Sequence, residues 1–120
     1  VYSRGSVPAT TLGMLQKGMT SVTAASKVAY TAVAGDQIVV DTVANPVTIT
    51  LPASPAVGDE VTIMDGSASN GFATNNCIID RNSENIEGAA ANDTLATNNQ
   101  CVTLIYANAA KGWLYKSTNQ

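Results

Sequence analysis

The sequence predicts an all-β fold: a small antiparallel sandwich or barrel-like domain with an irregular N-terminal arm. Three observations predict it. Val47, Ile49 and Leu51 alternate with Thr48 and Thr50, and Val61 and Ile63 flank Thr62 in the same way, the period-two pattern of a strand with one buried face. Short apolar runs recur along the chain, separated by Gly, Pro, Asn and Asp at turn spacing. No stretch sustains the 3.6-residue period that a packed helix requires.

Residues 1–20 (VYSRGSVPATTLGMLQKGMT) read as the arm and residues 21–120 as the β domain. Gly5, Pro8, Gly13 and Gly18 interrupt the arm. A short helical turn at LGMLQKGM is the most it can form alone, because two glycines oppose an isolated helix. Its apolar side chains, Leu12, Met14, Leu15 and Met19, are therefore the candidate partner-binding residues, expected to dock on a neighbouring protein.

From Ser21 the chain becomes rich in Val, Thr and Ala. A strand is expected over residues 27–33, with Val28, Tyr30 and Ala32 on one face, then a turn at Gly35-Asp36 and a strand over residues 37–42. Asn45-Pro46 closes the next connection. Residues 47–65 (VTITLPASPAVGDEVTIMD) organise the rest: a strand, a connection bounded by Pro52 and Pro55, a turn at Gly58-Asp59 and a second strand, read together as a hairpin-like unit. A polar loop over residues 66–76 follows, with Phe72 as its one apolar anchor. Residues 77–81 form a strand, residues 82–85 a tight turn, and Ile86 points inward. In residues 88–100 (GAAANDTLATNNQ) only Leu95 is a strong core candidate. Residues 101–107 make a strand with two apolar faces, Val102, Leu104 and Tyr106 on one and Cys101, Thr103 and Ile105 on the other. One small domain cannot easily cover both, so this strand argues for an oligomer, read as a homotrimer. Residues 108–112 are a hairpin loop, and residues 113–116 (WLYK) return antiparallel. The predicted core comprises Ile49, Leu51, Val61, Ile63, Ile79 and Leu104.

Composition narrows the function. The 120 residues suffice for one domain, and only 12% are charged against a usual share of about 25%. Such a chain covers its surface with Asn, Ser and Thr or buries that surface in an assembly. The six cations, Arg4, Lys17, Lys27, Arg81, Lys111 and Lys116, are scattered singly within a net charge of −3, so no nucleic-acid partner is expected. No apolar run is long enough to cross a bilayer as a helix, so no membrane partner is expected either. The first residues do not read as a secretory signal.

Catalytic chemistry finds little support. Histidine is absent, and no nucleophile elbow, phosphate loop or dinucleotide fingerprint occurs. Cys77 and Cys101 read as small buried hydrophobes, with a cross-strand disulfide as the alternative; two thiols alone cannot close a zinc site. Asp36, Asp41, Asp59, Glu60 and Asp65 gather at predicted turns, where carboxylates cap backbone N–H groups. A two-carboxylate glycosidase is the competing reading, but aromatics make up only 5% of the chain, too few for a sugar cleft. Residues 65–70 lack the alternating acids of a calcium loop, and Asn92-Asp93-Thr94 is a bare three-residue glycosylation match. The expectation is a protein that is not an enzyme and carries no cofactor or metal.

Taken together, QIVVDTVANPVTITLPASPAVGDEVTIMD, CIIDRNSENIEG and LIYANAAKGWLYK resemble a β-rich module of tailed-bacteriophage virion proteins, found in tail-fibre and related appendage proteins. The similarity runs over about residues 34–116, and TITLPASPAVGD is its most specific phrase. The resemblance implies a structural module of the virion, assembled as a trimer and without catalytic residues. The chain lacks the heptad shaft or collagen-like repeat of a fibre. A short β module with its own apolar arm suits a capsid decoration (cement) protein that binds other virion proteins, capsid or tail. The alternative is a tail-fibre or tip domain that binds a host-surface glycan through residues 66–76 and 89–100.

Overall fold

The computed structural model describes residues 19–25 and 27–119. Among these there is no helix and there are nine strands: β1 (Met19–Thr23), β2 (Ala29–Thr31), β3 (Gln37–Asp41), β4 (Val47–Thr50), β5 (Glu60–Asp65), β6 (Cys77–Asp80), β7 (Asp93–Leu95), β8 (Cys101–Asn108) and β9 (Gly112–Asn119). They form a five-stranded sheet in the order β1-β3-β5-β8-β9 and a four-stranded sheet in the order β2-β4-β6-β7. The all-β class follows from the sequence as expected.

The chain builds these sheets by winding. Its first six strands pass alternately from one sheet to the other, and each of β3 to β6 pairs in parallel with the strand laid down one winding earlier. Three windings, β1–β2, β3–β4 and β5–β6, therefore stack with equivalent side chains in register. Ile38 lies between Thr20 and Ile63, and Ile49 between Tyr30 and Ile79. The last three strands reverse direction: β7 pairs antiparallel with β6, β8 with β5, and β9 with β8.

Alternation decides which side chains meet between the sheets. Every second residue of β3, β4, β5, β6 and β8 is buried, and Ile49, Leu51, Val61, Ile63, Ile79 and Leu104 are all fully inaccessible, as predicted. Phe72, Leu95 and Ile86 join this core from the loops and the short β7, also as expected, and Trp113 enters from β9. Each large apolar side chain so buried contributes about 1.5–3 kcal/mol of transfer free energy.

The structure corrects four expectations. Residues 47–65 are not a hairpin: β4 and β5 lie in different sheets. Pro52 and Pro55 end the first strand, and the connection over residues 51–59 is long enough to cross the roughly 10 Å between packed sheets. Leu51 stays in the core and donates its N–H to the Asp80 carbonyl at 2.9 Å, and the chain then leaves for the other sheet. Antiparallel pairing holds for the last strands, whereas the first six are parallel. Val28 does not share a buried face with Ala32, for Val28 is 54% exposed. Met19, read as part of the arm, opens β1; Leu12, Met14 and Leu15 lie outside the described residues.

Two glycines are required by close approach. Gly112, at φ +70°, begins β9 where a Cβ would lie 1.9 Å from the Asn85 carbonyl oxygen. At Gly71 a Cβ would meet Asp65 Oδ2 at 2.6 Å and Asn98 Oδ1 at 2.7 Å. Each lets two distant loops touch.

Candidate functional site

The five-stranded sheet presents its second face away from the four-stranded one. Because Ile38, Val40, Val61, Ile63, Val102 and Leu104 point into the core, alternation sends Val39, Thr62, Met64, Cys101, Thr103 and Ile105 outward. The strand register gathers them: Val39 beside Met64, Met64 beside Cys101, Thr62 beside Thr103, and Ile105 beside Leu114 of β9. All are half-buried by their neighbours within the sheet. The hydroxyls of Thr62 and Thr103 satisfy one another at 3.0 Å. No charge lies within this stripe. Glu60 and Lys116 pair at its rim, Nζ to Oε2 at 2.9 Å, where solvent screens them. An uncharged stripe of Val, Met, Ile and Leu on a sheet face that no second sheet of the described residues covers is a candidate assembly surface.

The polar loops form a second feature. Asp65 ends β5 and accepts three backbone N–H groups: Ser67 on Oδ1 at 3.0 Å, and Phe72 and Asn99 on Oδ2 at 3.2 and 3.0 Å. Asn98 Oδ1 accepts the Ala73 N–H at 3.0 Å. Residues 66–76 and 89–100, read separately as candidate glycan-binding loops, are thus clamped together by one carboxylate and one amide. Burial raises the Asp65 pKa, but the hydrogen bonds from Ser67, Asn99 and Phe72 outweigh it and hold the carboxyl below its ordinary value. Asn75 Nδ2 extends the clamp to the Thr42 carbonyl at 2.8 Å. A carboxylate already met by three N–H donors is a poor cation ligand, and no metal-ligating cluster occurs among the described residues.

Asp36, Asp41 and Asp59 act as expected of turn caps, whereas Glu60, expected among them, pairs with Lys116 instead. Asp36 Oδ2 accepts the Val33 N–H and the Tyr30 hydroxyl, Asp41 Oδ1 the Val43 N–H, and Asp59 Oδ2 the Ala56 N–H. Asn92 of the glycosylation tripeptide accepts the Arg81 N–H at 3.0 Å.

Where β7 and β9 approach each other, two tyrosines tie the sheets together. The Tyr115 hydroxyl donates to Asp93, and its backbone N–H donates to Glu87 Oε2 at 2.8 Å. The Tyr106 hydroxyl donates to Glu84 Oε1 at 2.9 Å. Burial, then the bond to Asp93, pushes the Tyr115 hydroxyl upward; the bond to Glu84 does the same for Tyr106. Trp113 packs edge-on against Tyr106, centroids 5.6 Å apart, with its buried Nε1 unpartnered among the described residues. These contacts fasten the last strands and offer no reactive group.

Both cysteines are free. Cys77 lies in the core, where burial and then the nearby Asp65 push its thiol up to about 12; Cys101 sits in the outer stripe of the other sheet. The candidate arm residues Leu12, Met14 and Leu15 lie outside the described residues, and of Met19 the backbone alone is placed, as the first residue of β1. Sequence reasoning missed the clamp at Asp65, whose partner Asn99 lies 34 residues away. The only signal was the crowding of Asn in both loops. No protein-family model matches the chain, and no curated protein is significantly similar to it.

Proposed function

We propose that the chain is a structural protein of a tailed-bacteriophage virion, a capsid decoration protein that stabilises the particle as a homotrimer. The observation that carries the reading is the outer face of the five-stranded sheet, where Val39, Met64, Cys101, Ile105 and Leu114 form an uncharged stripe around the Thr62–Thr103 hydroxyl pair. Burying what remains exposed of each large side chain would contribute roughly 0.5–1 kcal/mol, a fraction of full burial. Repeated at each contact of a trimer, the stripe supplies the centre of an interface, with the Thr62 and Thr103 hydroxyls satisfying one another within it, and the Glu60–Lys116 pair supplies its rim. The resemblance of residues 34–116 to virion modules supports the particle as the setting. Low charge fits a particle held by buried apolar area and backbone pairing, which dilution and salt weaken less than surface ion pairs.

The test is binding to empty capsids and to host cells, measured side by side with purified protein. Saturable binding to capsids without binding to cells is the expected result. Binding to cells alone would replace this reading with the second one.

The second reading, a tail-fibre or tip domain that binds a host glycan, draws on the clamped loops. Asp65 and Asn98 hold residues 66–76 and 97–100 in one fixed polar surface. Rigid, Asn-rich loops keep the ordering cost of polar recognition low. A glycan array that captures the wild type and not a variant with the exposed Asn70 and Asn99 replaced by Ala would favour it.

A further inference from the structure

Of the nine glycines only Gly66 and Gly71 follow an Asp or an Asn. Both dipeptides lie in the connection after β5, and the fold treats them differently. Gly66 donates its N–H to the Val40 carbonyl at 2.8 Å, and the Asp65 carboxylate already accepts three N–H groups. Both halves of Asp65-Gly66 are therefore tied down. Asn70-Gly71 is not. Asn70 is exposed, and its side chain makes one hydrogen bond, Nδ2 to the Val43 carbonyl at 3.5 Å, longer than an ordinary one. The Gly71 N–H donates to no acceptor among the described residues. Shape dictates both residues: Asn70 sits at φ +48°, a left-handed conformation open to Asn, and Gly71 has no room for a Cβ beside Asp65 and Asn98. A third residue bears on the peptide group between them. The buried Thr42 donates its hydroxyl to the Asn70 carbonyl at 3.2 Å. Ser67 Oγ accepts the Thr42 N–H at 2.8 Å and lies 3.2 Å from the Thr42 hydroxyl, so Ser67 can donate to that oxygen while Thr42 donates to Asn70.

We propose that Asn70-Gly71 is a site of self-modification, at which the Gly71 amide nitrogen displaces ammonia from the Asn70 side chain with the Thr42 hydroxyl assisting. The Gly71 N–H gives its proton to solvent hydroxide, and the nitrogen attacks Asn70 Cγ. A C–N bond forms, the Cγ–Nδ2 bond breaks, and ammonia leaves with a proton taken from water, so that a succinimide ring remains. Water then opens the ring at either carbonyl, giving aspartate or isoaspartate at position 70, and nothing is oxidised or reduced. Removing the Gly71 proton spreads negative charge onto the oxygen of the same peptide group, and that oxygen is where Thr42 donates. A donor fixed on a developing charge lowers the barrier to forming it. Gly71 has no side chain to hinder the attack, and the exposed Asn70 admits water and releases ammonia. Asparagine is a thermolabile residue, and here the fold leaves one Asn-Gly bond open to this chemistry while it ties down the neighbouring Asp-Gly. The product alters the loop that Asp65 clamps. It adds a carboxylate there, and isoaspartate lengthens the backbone by a methylene beside a glycine already in close contact with Asp65 and Asn98. This inference does not depend on the virion reading.

Incubating the folded, full-length protein in heavy-oxygen water, then mapping its peptides by mass spectrometry in ordinary water, tests it. Position 70 should gain heavy oxygen before any other asparagine, and Asp65 should gain none. Thr42→Val should slow conversion at position 70 about tenfold, the low end of what a hydrogen bond to a charged group contributes. Thr42→Ser keeps the hydroxyl and should restore the wild-type rate. In urea, which separates Thr42 from Asn70, all three proteins should convert alike. If Asn70 stays an amide while other asparagines convert, or if Asp65 gains heavy oxygen first, the proposal fails. A folded Thr42→Val protein that converts as fast as wild type, or faster, would overturn the assisting hydroxyl and the proposal with it. Should Thr42→Val not fold, the order in which sites convert in the wild type still decides.

Discussion

Replacing Asp65 by asparagine is the most informative single change to the fold. The substitution keeps size and shape but turns one carboxylate oxygen into an NH2 group. In the wild type Oδ1 accepts Ser67 N–H, and Oδ2 accepts both Phe72 and Asn99 N–H. Asparagine can keep one side of that arrangement. If its oxygen faces Ser67, its amide opposes the Phe72 and Asn99 donors; if it flips, it opposes Ser67. A buried donor left without an acceptor costs about 1–3 kcal/mol, and the partial exposure of this site places the expected loss near the lower end. The loss should appear in urea unfolding as a lower midpoint with an unchanged slope. The amides of Phe72 and Asn99 should also exchange faster than those of β8. pH provides an independent check. Hydrogen bonds hold the folded carboxyl below its unfolded value of about 3.9, so its contribution is complete above that pH. It is lost as the pH falls through the lower, folded value. Wild type should therefore lose its advantage over Asp65→Asn in that acidic window. An asparagine variant within about 0.3 kcal/mol of wild type, with the same acid profile, would refute the clamp.

Three further outcomes follow from the packing. Truncating the fully buried Ile49 to Ala should cost about 2–5 kcal/mol in urea unfolding, and a loss below ~1 kcal/mol would mean that the face of β4 is wrongly assigned. Gly112→Ala should lower the melting temperature by several degrees, because the new Cβ would overlap the Asn85 carbonyl and adopt φ +70°; an unchanged melting curve would contradict that close approach. In native protein at neutral pH, Cys77 should resist a thiol reagent until the chain is unfolded, because it is buried and its thiol is pushed up to about 12. Labelling of Cys77 at the rate of an unfolded control would place it outside the core.

Strand positions and core faces were legible because alternation of apolar and polar residues is local. Val47 to Leu51 and residues 101–107 announce their buried sides within a few residues. Pairing direction was not legible. A strand buried on one face shows the same period of two whether its neighbour runs parallel or antiparallel, and nothing within β3 names β5 as its partner. The proline-rich connection after Leu51 ended the strand as expected, but its length, which carries the chain to the other sheet, was read as a wide turn. β1 was missed in part because Met19-Thr20-Ser21-Val22-Thr23 offers one strongly apolar inward residue, Val22. The Asp65 clamp joins backbone N–H groups from two loops, and backbone donors leave no trace in sequence. By contrast, the two-faced character of β8 was read directly from Cys101, Thr103 and Ile105, and the structure turns those residues away from the core between the sheets.

The outer face of the five-stranded sheet is the proposed assembly surface, and sedimentation velocity of wild type and Ile105→Glu tests it. Ile105 lies outward in β8 beside Glu60 and Leu114, so a glutamate there should leave the core intact while placing a carboxylate on the stripe next to Glu60 at its rim. Wild type should sediment as a trimer at micromolar concentration, and the variant as a folded monomer with an unchanged circular dichroism spectrum. A wild-type protein that remains monomeric at that concentration, or a variant that remains a trimer, would contradict assembly through this face.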